Sequence, residues 1–247
     1  MIDHLRRDFA LAVRTLVRSP GFTLVAVLTL ALGIGANTAI FSIVNALLLK
    51  PPAHVTEPER VVSLYTSDFS GPPFGSSSYA DYETSEEQRD PVSGVAAYSL
   101  TPANLVLGEQ TVRLALERVS VDYFDVLGVP AIRGRMLGSA DGNGQAVVVI
   151  SQALWRTQFG ADAAVIGRTL RLNAGTFTVV GVAPEDFQGS MRGVRVDAWV
   201  PLQASGVLGA DERFVTERCS RGPMLLARLR PGVSLEQARA GFAVVAS

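Results

Sequence analysis

A chain of 247 residues is long enough for one membrane anchor and one or two compact domains, and its mean hydropathy of +0.26 is high for a soluble protein. The net charge of −1 is unevenly spread, with five basic and two acidic side chains in residues 1–50 and 17 against 21 in the remainder, so no basic face invites nucleic acid. Cys219 is the single cysteine, which excludes an intrachain disulfide and a thiolate metal cluster, and His4 and His54 flank an apolar segment with no cleft to share.

In chain order, Leu5, Phe9, Val13, Leu16 and Val17 recur at helical spacing with Arg7, Arg14 and Arg18 opposite. The pattern predicts an amphipathic helix over 1–18, either lying along the inner membrane surface or packed against the rest of an assembly. Arg6-Arg7-Asp8-Phe9 resembles a twin-arginine export signal. The apolar core that follows is too long for one, a second pair of arginines intervenes, and no small-x-small cleavage site ends it.

Ser19-Pro20 breaks that helix and opens the next, since proline is tolerated in a first turn. From Ser19 to Leu49 no side chain is charged. A helix of that length would run ~45 Å, whereas the hydrocarbon core needs only about 20 residues. Its most apolar part is Phe22–Ile34. The outer half carries Asn37, Thr38, Ser42 and Asn45, which are costly against lipid, so they face a partner helix or the helix leaves the bilayer as a stalk. Gly33, Gly35, Asn37 and Asn45 are the helix-packing candidates, glycine because it lets backbones approach. Gly33-Ile34-Gly35-Ala36-Asn37 is no phosphate loop, since it lacks a preceding strand and a Gly-Lys-Ser/Thr ending. Four arginines precede the span and one lysine follows it, which puts the N-terminus in the cytoplasm and everything after Lys50 outside.

Beyond Lys50-Pro51-Pro52 the pattern is that of a globular domain. Arg60–Thr66 predicts a strand, a Gly/Pro/Ser loop runs through Ser78, and Tyr79–Arg89 predicts a short polar helix. Strands follow at Val92–Tyr98, Ala103–Leu107 and Val112–Val119. Ser120 is expected to cap a helix through Leu127 that Gly128 ends. The apolar run Ala146–Ile150 is a buried strand; Ser151 opens a helix to Phe159 and Gly160 closes it. Thr169–Leu172 and Thr176–Val182 around Asn173-Ala174-Gly175 predict a hairpin. Asp197–Leu202 is a further strand, then a long loop containing Cys219, the strand Met224–Arg230, and a helix from Ser234 to Ala246 with Gln237 completing a capping box. Two β-α units separated by a hairpin predict a mixed α+β domain in two lobes.

Several of these strings are shared with one family. Ser19-Pro20-Gly21-Phe22-Thr23 leading into the apolar helix, Tyr123–Val129, Gly134-Arg135, Val148–Ser151 with Leu154-Trp155 and Phe159-Gly160, Ile166–Asn173, Phe177–Pro184, Trp199–Leu202 and Arg228–Val233 together resemble MacB-type ABC transporter permeases. The likeness is nearest the acidobacterial orphan permease group, and covers the first transmembrane helix and the periplasmic core domain. The resemblance implies an α+β MacB-like periplasmic core domain over 53–247, a transmembrane helix and stalk over 19–50, and a cytoplasmic-face helix over 1–18. It also implies three further transmembrane helices of an FtsX-like domain, which would begin where the chain ends at Ser247; the chain is therefore expected to be a fragment, a split subunit or a short form.

By the same resemblance the domain relays motion from a separate ATP-binding subunit in an efflux system of the inner membrane, with a homodimer as a further expectation and no covalent chemistry or cofactor. The rival readings are a membrane-tethered binding or scaffold domain and a tethered hydrolase. No nucleophile–base pair supports the hydrolase. Trp155 and Trp199 sit among apolar residues and read as core. Gly128, Gly134, Gly160, Gly167 and Gly181 read as turns and helix ends. Glu86-Glu87 and Glu185-Asp186 are sequence neighbours that point apart, so neither is an acid–base couple. Asp122, Asp125, Asp141 and Asp162 follow no metal-ligand spacing, and Cys219 reads as a buried or tolerated thiol.

Overall fold

The computed structural model describes residues 14, 16–44, 53–66, 75–87, 90–191, 193–209 and 222–243. Asn45, the end of the expected stalk, Cys219 and most of the expected helix over 1–18 lie outside them. The chain divides into two compact units, Met1–Lys50 and Pro51–Ser247. The first contains a 25-residue helix, α1 (Pro20–Val44).

The second unit is built on one hydrogen-bonded sheet of nine strands. Its elements in order are β1 (Val61–Leu64), α2 (Tyr79–Glu87), β2 (Val92–Leu107), β3 (Gln110–Val119), α3 (Tyr123–Leu127), β4 (Arg133–Gly134), β5 (Val147–Ile150), α4 (Gln152–Phe159), β6 (Thr169–Leu172), β7 (Gly175–Val182), β8 (Ala198–Pro201), β9 (Met224–Leu229) and α5 (Leu235–Ala243). The strand order is β1-β9-β2-β3-β8-β5-β7-β4, and β6 pairs with both β7 and β2. That extra pairing, Leu105 with Leu172 and Val106 with Arg171, closes the path β2-β3-β8-β5-β7-β6 into a ring. The domain is thus a six-stranded barrel and an open sheet (β1-β9-β2) that share β2.

Alternation along each strand sorts the side chains. Leu105, Leu114, Leu116, Val148, Ile150, Leu170, Leu172, Phe177, Val179 and Val200 belong to one buried cluster that fills the ring, with Leu154, Trp155 and Phe159 of α4 packed against it. Their neighbours on the other face, Val147, Val149, Val119 and Trp199, join Tyr123, Phe124 and Phe187 in an outer layer. A third cluster sets Val95, Ala97, Leu225 and Ala227 of the open sheet against Tyr82 of α2 and Ala238 of α5.

Three local expectations are corrected. The strands expected at Val92–Tyr98 and Ala103–Leu107 are one 16-residue strand that continues through Pro102. Pairing with β9 ends at Tyr98 and pairing with β6 begins at Leu105. Asn104, whose N–H and C=O bond to Asn173, faces the edge away from β3, and Pro102 two residues earlier faces the same edge. Its missing N–H therefore falls in the gap between the two partner strands, where no ladder bond is lost.

The helix expected from Ser120 begins at Tyr123, because Ser120 Oγ is committed to the N–H of Ala97 at 3.0 Å. Gly181 and Gly134, both expected in turns, lie in β7 and β4 and face each other there, Gly181 beside a bulge. A Cβ on Gly181 would lie 1.9 Å from the Arg135 carbonyl oxygen, so only glycine lets the two chains cross.

Other local signals hold among the described residues. Ser151 Oγ accepts from Leu154 N–H, Gly128 and Gly160 end their helices with positive φ, and Ser234 and Gln237 form the capping box.

Gly181→Ala should cost at least about 2 kcal/mol, because the opposing atom is backbone and cannot rotate away. Gly138→Ala, whose Cβ would meet nothing within 4 Å, should be neutral. Urea unfolding of the two variants beside the parent checks both.

Candidate functional site

Two parts of the molecule carry the functional question: the apolar helix and the polar pins of the globular unit. In α1, residues Pro20–Ser42 form a 23-residue stretch of mean hydropathy 2.0, long and apolar enough to cross a membrane. Two of its threonines donate to carbonyls one turn back, Thr29 Oγ1 to Val25 O at 2.7 Å and Thr38 Oγ1 to Ile34 O at 2.8 Å. Asn37 has two amide donors and an acceptor on an exposed side chain. It stands one turn above Gly33 on the same face, whereas Gly35 is two residues from Gly33 and points to the opposite side. A Cβ at either glycine would meet nothing within 4 Å. The packing candidates are therefore divided between two faces of the helix.

In the globular unit the most constrained polar group is Glu117, which sequence reasoning missed. It is fully buried. Register places it beside Trp199 on the neighbouring β8. Its Oε2 accepts from Tyr123 O–H at 2.8 Å and from Trp199 Nε1–H at 2.9 Å, and its Oε1 accepts from Ser190 N–H at 3.2 Å. The N–H of Met191 also reaches the carboxyl. Burial pushes its pKa up, against the pull of these donors. Gly189 makes room for it, since a Cβ there would sit 2.9 Å from both carboxyl oxygens. The group pins the Gly189–Met191 segment onto the outer wall of the barrel. No local signal exposes it: beside Leu114 and Leu116 the alternation of β3 places Glu117 on the strand's other face, and it is Trp199 and the Gly189–Met191 segment, distant in sequence, that cover it.

Asp141 is likewise fully buried and takes a two-pronged ion pair from Arg135, Nη1 to Oδ2 at 2.6 Å and Nη2 to Oδ1 at 2.8 Å. Burial raises its pKa, but Arg135 and the N–H of Gly138 outweigh that and hold it below the ordinary carboxylate value. Arg228, 9% exposed, lies against main-chain oxygens of the segment before β1 and the end of α3.

The remaining candidates fall where their chemistry suggests. Trp199 and Trp155 are core, and Trp155 also donates to Asp162 O and carries the Arg133 guanidinium 5.2 Å from its ring centre. Asp162 Oδ1 accepts from Ala164 N–H. Glu185 pairs with Arg156 at 2.7 Å on the surface, a contact of little energetic weight. Asp122 and Asp125 line a cavity of about 240 Å³ with Glu86 and Arg228. Among the described residues no three His, Cys, Asp or Glu side chains are grouped so as to hold a metal ion.

A charge-free spanning-length helix followed by an open sheet fused to a barrel defines a class: an α+β domain preceded by an apolar helix. The chain belongs to the MacB-like periplasmic core domain family, whose model matches residues 23–243. No curated protein matches it. Among solved structures it is similar to the periplasmic region of MacB from Actinobacillus actinomycetemcomitans, at 18% identity and a TM-score of 0.58, over 75% of this chain and 81% of that one. A permease-protein domain from Porphyromonas gingivalis matches at 19% identity and 0.60, over 77% and 84%. The extracellular domain of the ABC-type transporter YknZ from Gram-positive bacteria matches at 18% and 0.54, over 73% and 88%. At such identities the likeness establishes the fold, and the similar structures are transporter permease domains.

Glu117→Gln should destabilise the domain by about 2–4 kcal/mol, more than an ordinary surface amide swap, because an NH₂ would face indole and backbone donors that cannot become acceptors. Thermal unfolding compared with Glu185→Gln, expected to be neutral, checks this.

Proposed function

We propose that this chain is the membrane-anchored permease component of a MacB-like ABC exporter, coupling motion of a separate cytoplasmic ATPase to an extracytoplasmic domain without chemistry of its own. The observation that carries the reading is the juxtaposition in one chain of a charge-free helix of spanning length with a MacB-like core domain. In this reading residues 1–18 lie at the cytoplasmic face, 19–50 form the transmembrane helix and stalk, and 53–247 form the domain outside. The arginines before α1 and the single lysine after it support that orientation and an inner-membrane location.

The partners in this reading are the bilayer, an ATP-binding subunit, further permease helices and a second copy of the chain. Gly33 and Gly35 on opposite faces would let a neighbour approach from each side, and Asn37 would find its hydrogen-bond partner on the helix that meets Gly33.

Two measurements test the proposal. In a Cys219→Ser background, Thr111→Cys, on an exposed position of the domain, should be labelled by a membrane-impermeant thiol reagent from outside intact cells; labelling only after lysis would overturn the orientation. Co-expressed with ATP-binding subunits of its own source, the detergent-solubilised chain should co-purify with one of them together with the remaining permease helices. Gly33→Leu should weaken that association at least about tenfold, with Leu28→Val as the neutral control. A chain that binds ligand or a partner but never an ATPase would favour the tethered-scaffold reading.

A further inference from the structure

The residues that precede β1 in sequence, Thr56–Arg60, are fastened at both ends. Thr56 donates its N–H to Leu127 O at 3.0 Å and its Oγ1–H to Gly128 O at 2.8 Å. Arg60 donates from Nε and Nη2 to Leu229 O at 3.0 and 2.8 Å, and also pairs with Glu57. Between them lies Arg228 of β9, whose Nε donates to Val126 O at 2.5 Å and whose Nη2 donates to Thr56 O at 2.7 Å. Thr56–Arg60 is therefore bound both to the end of α3 and to two successive residues of β9.

The chemistry at Arg228 is specific. A guanidinium that is 9% exposed usually meets a carboxylate, yet its hydrogen-bond acceptors here are the carbonyls of Val126 and Thr56. Carbonyls at a helix end lack intrahelical partners, and the fork of arginine presents donors that reach one of them and the Thr56 carbonyl at once. For packing alone an apolar residue would serve, because desolvating a cation is costly. Burial indeed pulls the Arg228 pKa down, with Arg60 repelling it and Glu57 and Glu59 opposing that pull. The backbone is shaped to the same contact: Glu57 turns the chain at φ 45°, and a Cβ on Gly128 would lie 2.7 Å from Thr56 Cβ and Oγ1.

We infer that Arg228 is a mechanical lock: it fixes Thr56–Arg60 to α3 and β9, so that a pull arriving from the preceding helix is delivered into the open sheet and not absorbed by the entering segment. The importance of the lock rests on the coupling function proposed above, but its existence is tested on this chain alone, without an ATPase.

The full chain in lipid nanodiscs is followed by hydrogen exchange and by force. Arg228→Met should speed exchange of the Thr56 amide at least about tenfold, while the barrel amides of Val148 and Val179 stay as in the parent. Gly128→Ala, which displaces Thr56 and leaves the guanidinium in place, should give the same local loss. In an optical trap with handles on Ala53→Cys, in a Cys219→Ser background, and on the C-terminus, Arg228→Met should release an early extension on the order of 20–30 Å, absent from the parent. Unchanged exchange at Thr56, an equal loss at Val148 and Val179, or indistinguishable force traces would each overturn the lock. Failure to find any ATPase partner would instead count against the proposed function.

Discussion

Everything in the globular unit hangs on the sixteen residues of β2. One half of the strand pairs with β9 and makes the open sheet, and the other half pairs with β6 and closes the barrel, while β3 runs alongside from Tyr98 to Leu107. A single covalent strand therefore belongs to both lobes, and a displacement of one is felt by the other without crossing a flexible linker. The strand can do this because its one proline stands at the only stretch of its edge where a donor has no partner to lose. The barrel interior is then filled by side chains from six strands, which leaves little freedom to slip: a shift of one residue would turn the apolar set outward.

Of the buried charges set against that apolar frame, two hold irregular segments to it across long stretches of sequence. Glu117 collects indole, phenol and backbone donors and thereby fixes the Gly189–Met191 segment; Arg228 holds carbonyls from two separate chain segments. Neither is an inexpensive way to gain stability, since both ions are taken out of water. What they add is directional: a hydrogen-bonded charge defines one position for a loop, where an apolar contact of equal area would accept several. Both act on irregular segments that cross the sheet, where no ladder of backbone bonds does the same work.

For a domain proposed to relay movement, such pins decide which parts travel together. The open sheet, α3 and the entering segment are bound as one body through β9, and the barrel joins them through β2 and β3. The apolar helix shows the complementary property. Its threonines donate to backbone carbonyls and its glycines divide between two faces, so among its described residues recognition falls to Asn37, Ser42 and the places where another backbone can come close.

Local chemistry was enough to read most elements from the residues. The charge-free run of α1, the Asn-Ala-Gly hairpin, the Ser151 cap, the Ser234–Gln237 capping box and the tryptophans of the core are short-range signals of period, turn geometry and hydroxyl placement. The family likeness was legible for the same reason, in ordered strings along the chain. What the residues alone could not reveal depends on partners distant in sequence. Pro102 reads as a break until the gap between β9 and β6 is known, and Ser120 reads as a cap until Ala97 claims its hydroxyl. Gly181 reads as a turn until Arg135 crosses it. Glu117 and Arg228 look like alternating surface charges until their partners arrive from 82 and 172 residues away. The closure of the barrel is likewise a matter of two residue pairs between β2 and β6, and hydrogen bonding across such separations is decided only by the folded whole.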